Sequence, residues 1–164
     1  MKNLAVCIPT YKNEEVLEEL LIRCGSVFYD YNWDVYIYDS GENDRTERVV
    51  NSFNSKFDNI YYRRIPAYVH SNIKVLNIYK EFENSTKYKY IWICPDYFHL
   101  LHKGARVLES WMKMECALIV VNYRDVDKIG NKVFSDKNDL FEKCAWHMTS
   151  YMASVINTET LLNN

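Results

Sequence analysis

Residues Leu4 to Ile8 are apolar without a break, and the run stops at Pro9. A proline cannot donate to a sheet ladder, so it marks where a strand ends. Asn13, Glu14 and Glu15 follow, and an apolar stripe of helical spacing begins at Leu17. Asparagine is a good helix N-cap, and acidic residues suit the positive end of a helix. A strand that is apolar on consecutive residues is one covered on both faces. The opening of the chain therefore demands a layered arrangement of buried strand, short polar loop and covering helix. In open α/β sheets, ligands bind at the edge where such loops emerge.

The pattern recurs along the chain. Trp33 to Tyr38 is a second extended run, ending at Asp39, and Asn59 to Arg64 is a third, stopped before Pro66. Tyr90 to Cys94 is a fourth, ending at Pro95-Asp96, and Ala117 to Val121 is a fifth. Helical spacing fills the intervals: Asn13 to Phe28 with Leu17, Leu20, Leu21, Cys24 and Phe28 on one stripe, then Thr46 to Phe53, Asn72 to Phe82 and Leu100 to Met114. Within Asn72 to Phe82 two faces compete for burial, Ile73/Leu76/Tyr79/Lys80 and Val75/Ile78/Tyr79/Phe82. Asp136 to Ile156 is expected to be mostly helical, and the tail from Asn157 to Asn164 polar. Alternating strands and helices predict an α/β, Rossmann-like fold, a mostly parallel sheet with helices on both faces. At 164 residues, without repeats or linkers, residues 1–164 are expected to form one domain.

Composition removes several functions. The net charge of −2 gives no basic surplus for nucleic acid or an anionic membrane. The five cysteines are scattered without a CxxC pair, so they read as small buried hydrophobes in a reducing compartment rather than a disulfide or zinc framework. Pro9 cuts the first apolar run short of a signal-peptide core, and nothing approaches the roughly 20 apolar residues of a membrane span. A cytoplasmic location is expected, with peripheral membrane association left open. Fourteen tyrosines suit stacking on sugars and bases, though most are expected in the core and its rim.

Three polar clusters fall just past strand ends: Pro9-Thr10-Tyr11, Asp39-Ser40-Gly41 and Pro95-Asp96. Parallel strands open their carboxyl ends on one edge, so clusters distant in sequence can converge there. The first loop has no glycine, which excludes the glycine-rich turn of a dinucleotide site and the phosphate-binding P-loop. Its two glutamates would also repel a pyrophosphate placed at that helix start. Hydroxyls and an aromatic ring suit a base or ribose instead. Asp39 can accept from a base N–H or a sugar hydroxyl, and Asp96 can place a divalent cation against a diphosphate.

With these residues in view the chain resembles a family. Val6-Cys7-Ile8-Pro9-Thr10-Tyr11-Lys12-Asn13-Glu14 resembles the opening of family 2 glycosyltransferases, which have the GT-A fold. Tyr38-Asp39-Ser40-Gly41-Glu42-Asn43-Asp44-Arg45-Thr46 resembles their second signature, with Glu42 in place of the usual serine. Tyr90 to Asp96 stands where the family has its metal-binding Asp-x-Asp. The resemblance implies a nucleotide-sugar donor, most often UDP-linked, with Mg²⁺ or Mn²⁺, and sugar transfer with inversion to the hydroxyl of a carbohydrate, glycolipid or glycoprotein acceptor. It implies that Pro9, Thr10 and Tyr11 line the uridine pocket, that Asp39 with Ser40 beside it bonds the uracil, and that Asp96 is the metal ligand. Arg63 or Arg64 would contact the donor.

Two departures stand out. Cys94 replaces the first carboxylate of the Asp-x-Asp. A literal Asp-x-Asp occurs at Asp125-Val126-Asp127, but Lys128-Ile129-Gly130 follows and the stretch reads as a solvated turn. The second departure is length: family domains usually continue past residue 164, so the acceptor part is expected to be incomplete. The acidic residues after Asp96, from Glu109 to Glu159, form no recognisable general-base motif. His147, in a stretch resembling a late helix of these enzymes, reads as structural, and His99 with His102 lacks the further ligands of a zinc site. A non-catalytic member of the same fold is the rival expectation.

Overall fold

The computed structural model describes residues 1–66, 70–83, 85–121, 132–148 and 150–162, apart from the side chains at 146, 147, 151 and 162. The elements are β1 (Lys2–Thr10), α1 (Glu14–Asp30), β2 (Asp34–Asp39), α2 (Arg45–Phe53), β3 (Ile60–Arg64), α3 (Ser71–Phe82) and β4 (Tyr88–Ile93). They continue with α4 (His102–Met112), β5 (Leu118–Val120), α5 (Lys137–Met148), a 3₁₀ turn at Tyr151–Ala153, β6 (Ser154–Asn157) and α6 (Thr158–Leu162). The six strands form one sheet in the order β3-β2-β1-β4-β6-β5. β1 pairs in parallel with β2 and β4, and β2 with β3.

The consecutive apolar residues of β1 are explained by two cores. Leu4, Val6 and Ile8 face a core shared with Leu17, Leu21 and Phe28 of α1, Val50 of α2 and Leu108 of α4. Ala5 and Cys7 face the other side, with Tyr36, Tyr38, Ile91 and Ile93 of the sheet and Ile78 and Phe82 of α3. All five residues are fully buried. Helices thus cover both faces. All five cysteines are free, and Cys7, Cys24, Cys94 and Cys144 are buried. No helix among the described residues is long and apolar enough to cross a membrane.

The expected helix from Asp136 to Ile156 is corrected. Its helix ends at Met148, and Ser154–Asn157 is a strand inserted antiparallel between β4 and β5. Without β6, β4 would keep an unpaired edge beside a strand of three residues, β5. Val155, paired with Trp92 and Ile119, is fully buried. The chain leaves the sheet after β5 and re-enters at β6 on the carboxyl edge of β4, because Val120 pairs with Ser154 and Trp92 with Val155.

The amino ends of the strands are closed by charge. The fully buried Asp34 carboxylate accepts from Lys2 Nζ at 2.5 Å and from the Tyr88 hydroxyl, and Lys87 Nζ lies 3.0 Å away. Burial raises the carboxyl pKa, but the bonds from Lys2, Tyr88 and Lys87 outweigh it and hold the group below its usual value. A carboxyl depressed in the fold stabilises above its unfolded pKa of about 3.9 and loses that contribution as pH falls through the folded value. Asp34→Ala removes the buried acceptor of Lys2, Lys87 and Tyr88 and is expected to cost about 2 kcal/mol at neutral pH. In acid titrations of thermal stability, Asp34→Asn is expected to flatten the loss below about pH 4 relative to the wild type.

Candidate functional site at the carboxyl edge

Register brings the three polar clusters together. Thr10 stands opposite Asp39, and Asp39 opposite Arg64. On the other side of β1, Cys7 stands opposite Ile93, and the Cys94 N–H donates to the Cys7 carbonyl at 2.9 Å. Three residues further along each chain, Thr10 Oγ1 donates to Asp96 Oδ2 at 2.7 Å. The Ser40 N–H donates to the Thr10 carbonyl at 3.2 Å, which ties the second loop to the first. Thr10, Asp39, Ser40 and Asp96 are all buried.

Asn13 has a different use from the one its position suggests. It precedes α1 as N-cap but makes no side-chain cap bond. Its Nδ2 donates instead to Asp96 Oδ2 at 3.0 Å. Lys12, just before it, has a φ of 50°, a left-handed turn that lysine adopts at a cost of order 1 kcal/mol. Pro9 is half-buried at the end of β1, and the Tyr11 ring is 48% exposed at the mouth of the loop.

Asp39 is held from two sides. Its Oδ1 accepts from the Gly41 N–H at 2.7 Å, and its Oδ2 from the Tyr62 hydroxyl at 2.9 Å. A Cβ on Gly41 would lie 2.9 Å from Oδ1, so glycine lets the loop fold back onto the carboxylate. Arg64 Nε donates to the Tyr62 hydroxyl at 3.0 Å, while Nη2 reaches Asp44 at 2.7 Å and the Asn43 carbonyl at 3.1 Å. The bonds to Tyr62 and Asp44 raise the guanidinium pKa further. Period-two alternation separates the two arginines. Arg64 faces the Asp39 loop, whereas Arg63 lies over the Tyr36 ring at 5.7 Å, away from the other candidates.

Lys74 of α3 also belongs to this edge, and sequence reasoning missed it. The competing faces of α3 resolve in favour of Ile78 and Phe82, with Val75 and Tyr79 packed beside them; Ile73 and Leu76 are exposed. Lys74 lies one turn before Ile78 on that stripe and is 7% exposed. Its Nζ donates to Ser40 Oγ at 2.6 Å and to the Thr10 carbonyl at 3.4 Å. Burial lowers its pKa, and the charges of Asp39 and Asp96 oppose that shift. The available signal was the i, i+4, i+8 spacing of Lys74, Ile78 and Phe82, which the lysine's polarity masks.

The edge offers a divalent ion few protein ligands. Oδ2 of Asp96 is shared by Thr10 and Asn13, which leaves Oδ1 as the oxygen for an ion, and an ammonium occupies the same edge. Cys94, at the position of a first carboxylate, is fully buried, and that burial, helped by Cys7 and Cys24, pushes its thiol pKa well up. A neutral thiol is a poor ligand for a hard cation. Among the described residues, no three His, Cys, Asp or Glu side chains come together.

The remaining candidates lie elsewhere. His102 pairs with Asp30 at 2.9 Å, and His99 is exposed. Glu109 accepts from Trp33 Nε1 and Asn3 Nδ2, and Glu115 pairs with Lys89, both at the amino ends of the strands. Asp136 accepts from the Asn138 and Asp139 N–H groups at the start of α5. Asp125-Val126-Asp127 and the side chain of His147 lie outside the described residues.

The profile of the family described as Glycosyl transferase family 2 matches residues 5–72, which include the loops of Thr10 and Asp39. Over that stretch the chain is similar to glycosyl transferase family 2. Solved structures extend the likeness in fold. Residues 1–349 of Staphylococcus aureus TarS superpose with a TM-score of 0.70 at 14% identity, covering 95% of this chain and 47% of that one. The same TarS segment in complex with UDP-GlcNAc gives 0.65 at 12%, covering 95% and 45%. The mannosyltransferase PcManGT from Pyrobaculum calidifontis, in complex with GDP-Man and Mn²⁺, gives 0.54 at 16%, covering 74% and 36%. The fold is thus that of the GT-A glycosyltransferases, and the chain spans about half the length of TarS 1–349. No curated protein sequence matches significantly.

Tyr62→Phe removes the hydroxyl that Asp39 accepts from and is expected to cost about 1 kcal/mol, the scale of one hydrogen bond to a charged group or slightly less. In urea denaturation, the double variant with Asp39→Asn should lose less than the sum of the two single changes. Strict additivity would show that the two groups do not act together.

Proposed function

We propose that the carboxyl edge of β1, β2 and β4 binds a nucleotide-diphosphate sugar, and that the protein is the donor-binding part of a glycosyltransferase. The convergence of Thr10, Asp39 and Asp96 on one edge, two of them inside the family-matched stretch, carries this reading. Crystallised fold relatives are in complex with UDP-GlcNAc and with GDP-Man, both of this donor class. In this chain Asp39 reads the base. Its oxygens accept one bond each, and a carboxylate has roughly four lone-pair sites, so a base N–H can join them. The exposed Tyr11 ring stacks on the base or ribose, and Pro9, Thr10 and Ser40 shape the pocket floor. Arg63 is a peripheral member of this set, and Arg64 acts through Tyr62.

The reaction is transfer of the sugar to an acceptor hydroxyl, with inversion, in polysaccharide or glycoconjugate synthesis. The acceptor is a carbohydrate, glycolipid or glycoprotein, met on the side of the sheet edge where the chain leaves β5 and returns at β6. The donor side supplies binding and orientation; the general base belongs to the acceptor side. We place the protein in the cytoplasm, a reducing compartment that suits its free cysteines. A second reading is a non-catalytic donor-binding protein. Cys94 in the metal motif and the placement of Glu109 and Glu115 at the opposite edge favour it.

Calorimetric titration with UDP, with GDP as comparison, tests the reading. UDP should bind, and Asp39→Asn should weaken it about tenfold or more, the scale of one lost charge-assisted bond, while keeping a cooperative melt. A chain that binds neither nucleotide under any condition rules out the donor site. Binding without hydrolysis or transfer of UDP-sugars favours the non-catalytic reading.

A further inference from the structure

We infer that Lys74 is the diphosphate-binding cation of this site, so that the donor is held without a divalent metal. The inference rests on the nucleotide-binding reading above and adds a residue and a charge source to it. A nucleoside diphosphate brings two or more negative charges to an edge that already buries two carboxylates, Asp39 and Asp96. Binding there needs a positive charge at the edge itself. Cys94 removes one hard ligand from the metal motif, and the remaining carboxylate, Asp96, gives its Oδ2 to Thr10 and Asn13, so a single oxygen is left for an ion. The ammonium of Lys74 is in place instead.

Its position is determined by packing. Lys74 is buried on the same helical stripe as Ile78 and Phe82, and its Nζ is anchored by Ser40 Oγ and the Thr10 carbonyl. Those two acceptors come from the loops after β2 and β1, so the ammonium sits at the junction of both. Three N–H donors serve two protein acceptors, which leaves one for a phosphate oxygen. The described arginines near the edge have partners of their own: Arg64 has Tyr62, Asp44 and Glu47, Arg45 has Glu14 at 3.5 Å, and Arg63 lies over the Tyr36 ring. A lysine that only neutralised Asp39 and Asp96 would be equally buried, so ligand selectivity must separate the two roles.

The test is calorimetry on the 164-residue chain with uridine, UMP and UDP, each in EDTA and in MnCl₂. Wild-type protein should bind UDP more tightly than uridine by about tenfold or more in EDTA, and MnCl₂ should change UDP affinity less than about twofold. Lys74→Gln should abolish the preference for UDP over uridine, lowering UDP affinity by about tenfold more than uridine affinity. Lys74→Arg, which keeps the charge, should retain most of the preference and serves if the glutamine variant fails to fold. A UDP preference that appears only with MnCl₂, or one that survives in Lys74→Gln, overturns the inference and leaves the donor site standing. Failure of uridine, UMP and UDP alike to bind overturns the donor site itself.

Discussion

Everything at the carboxyl edge depends on β1 lying in register between β2 and β4. Its residues are buried alternately in two cores, so it has no stable position except the middle of a covered sheet. Once it lies there, parallel pairing on both sides makes the loops after β1, β2 and β4 open together. A slip of one residue would turn Leu4, Val6 and Ile8 into the core that Ala5 and Cys7 occupy, a space bounded by the tyrosines of β2. The cost of that misfit specifies the register. The register in turn specifies that Thr10 meets Asp39 on one side and Asp96 on the other.

Charge is buried at both ends of this sheet, and in both places it is compensated. At the amino edge Asp34 takes Lys2, Lys87 and Tyr88, groups that all come from strand starts or their approaches. At the carboxyl edge Asp39 and Asp96 share the field of Lys74, while neutral donors from Gly41, Tyr62, Thr10 and Asn13 fill their lone pairs. Burying a carboxylate unpaired would be prohibitive, so each of these partners is a structural necessity. The amino edge spends its compensation on closing the fold. The carboxyl edge adds an exposed tyrosine, Tyr11, and the buried ammonium of Lys74.

Much of the architecture was legible. The strands β1 to β5 and the helices between them follow from apolar runs, proline stops and helical spacing, because those signals are local. The family resemblance rested on the same loops that the structure gathers. Three features were not legible. β6 is four residues long and no glycine or proline separates it from α5, so nothing local distinguishes it from a continuing helix. The face of α3 was ambiguous because both stripes contain enough apolar residues to be buried, and Lys74 lay on the winning one. Arg63 and Arg64 were equivalent in sequence, and alternation along β3 chose between them.

The sequence by itself determined the alternation of layers, the position of each loop after its strand, and the residue types at the edge. Those are consequences of backbone hydrogen bonding and apolar periodicity within single segments. Tertiary structure decided which polar side chains meet: Asn13 turns from its helix to Asp96, Tyr62 to Asp39, and Lys74 into the junction of two loops. Those choices depend on register, on which helix face is buried and on compensation of buried charge across contacts of 23 to 83 residues in sequence. No local pattern encodes them.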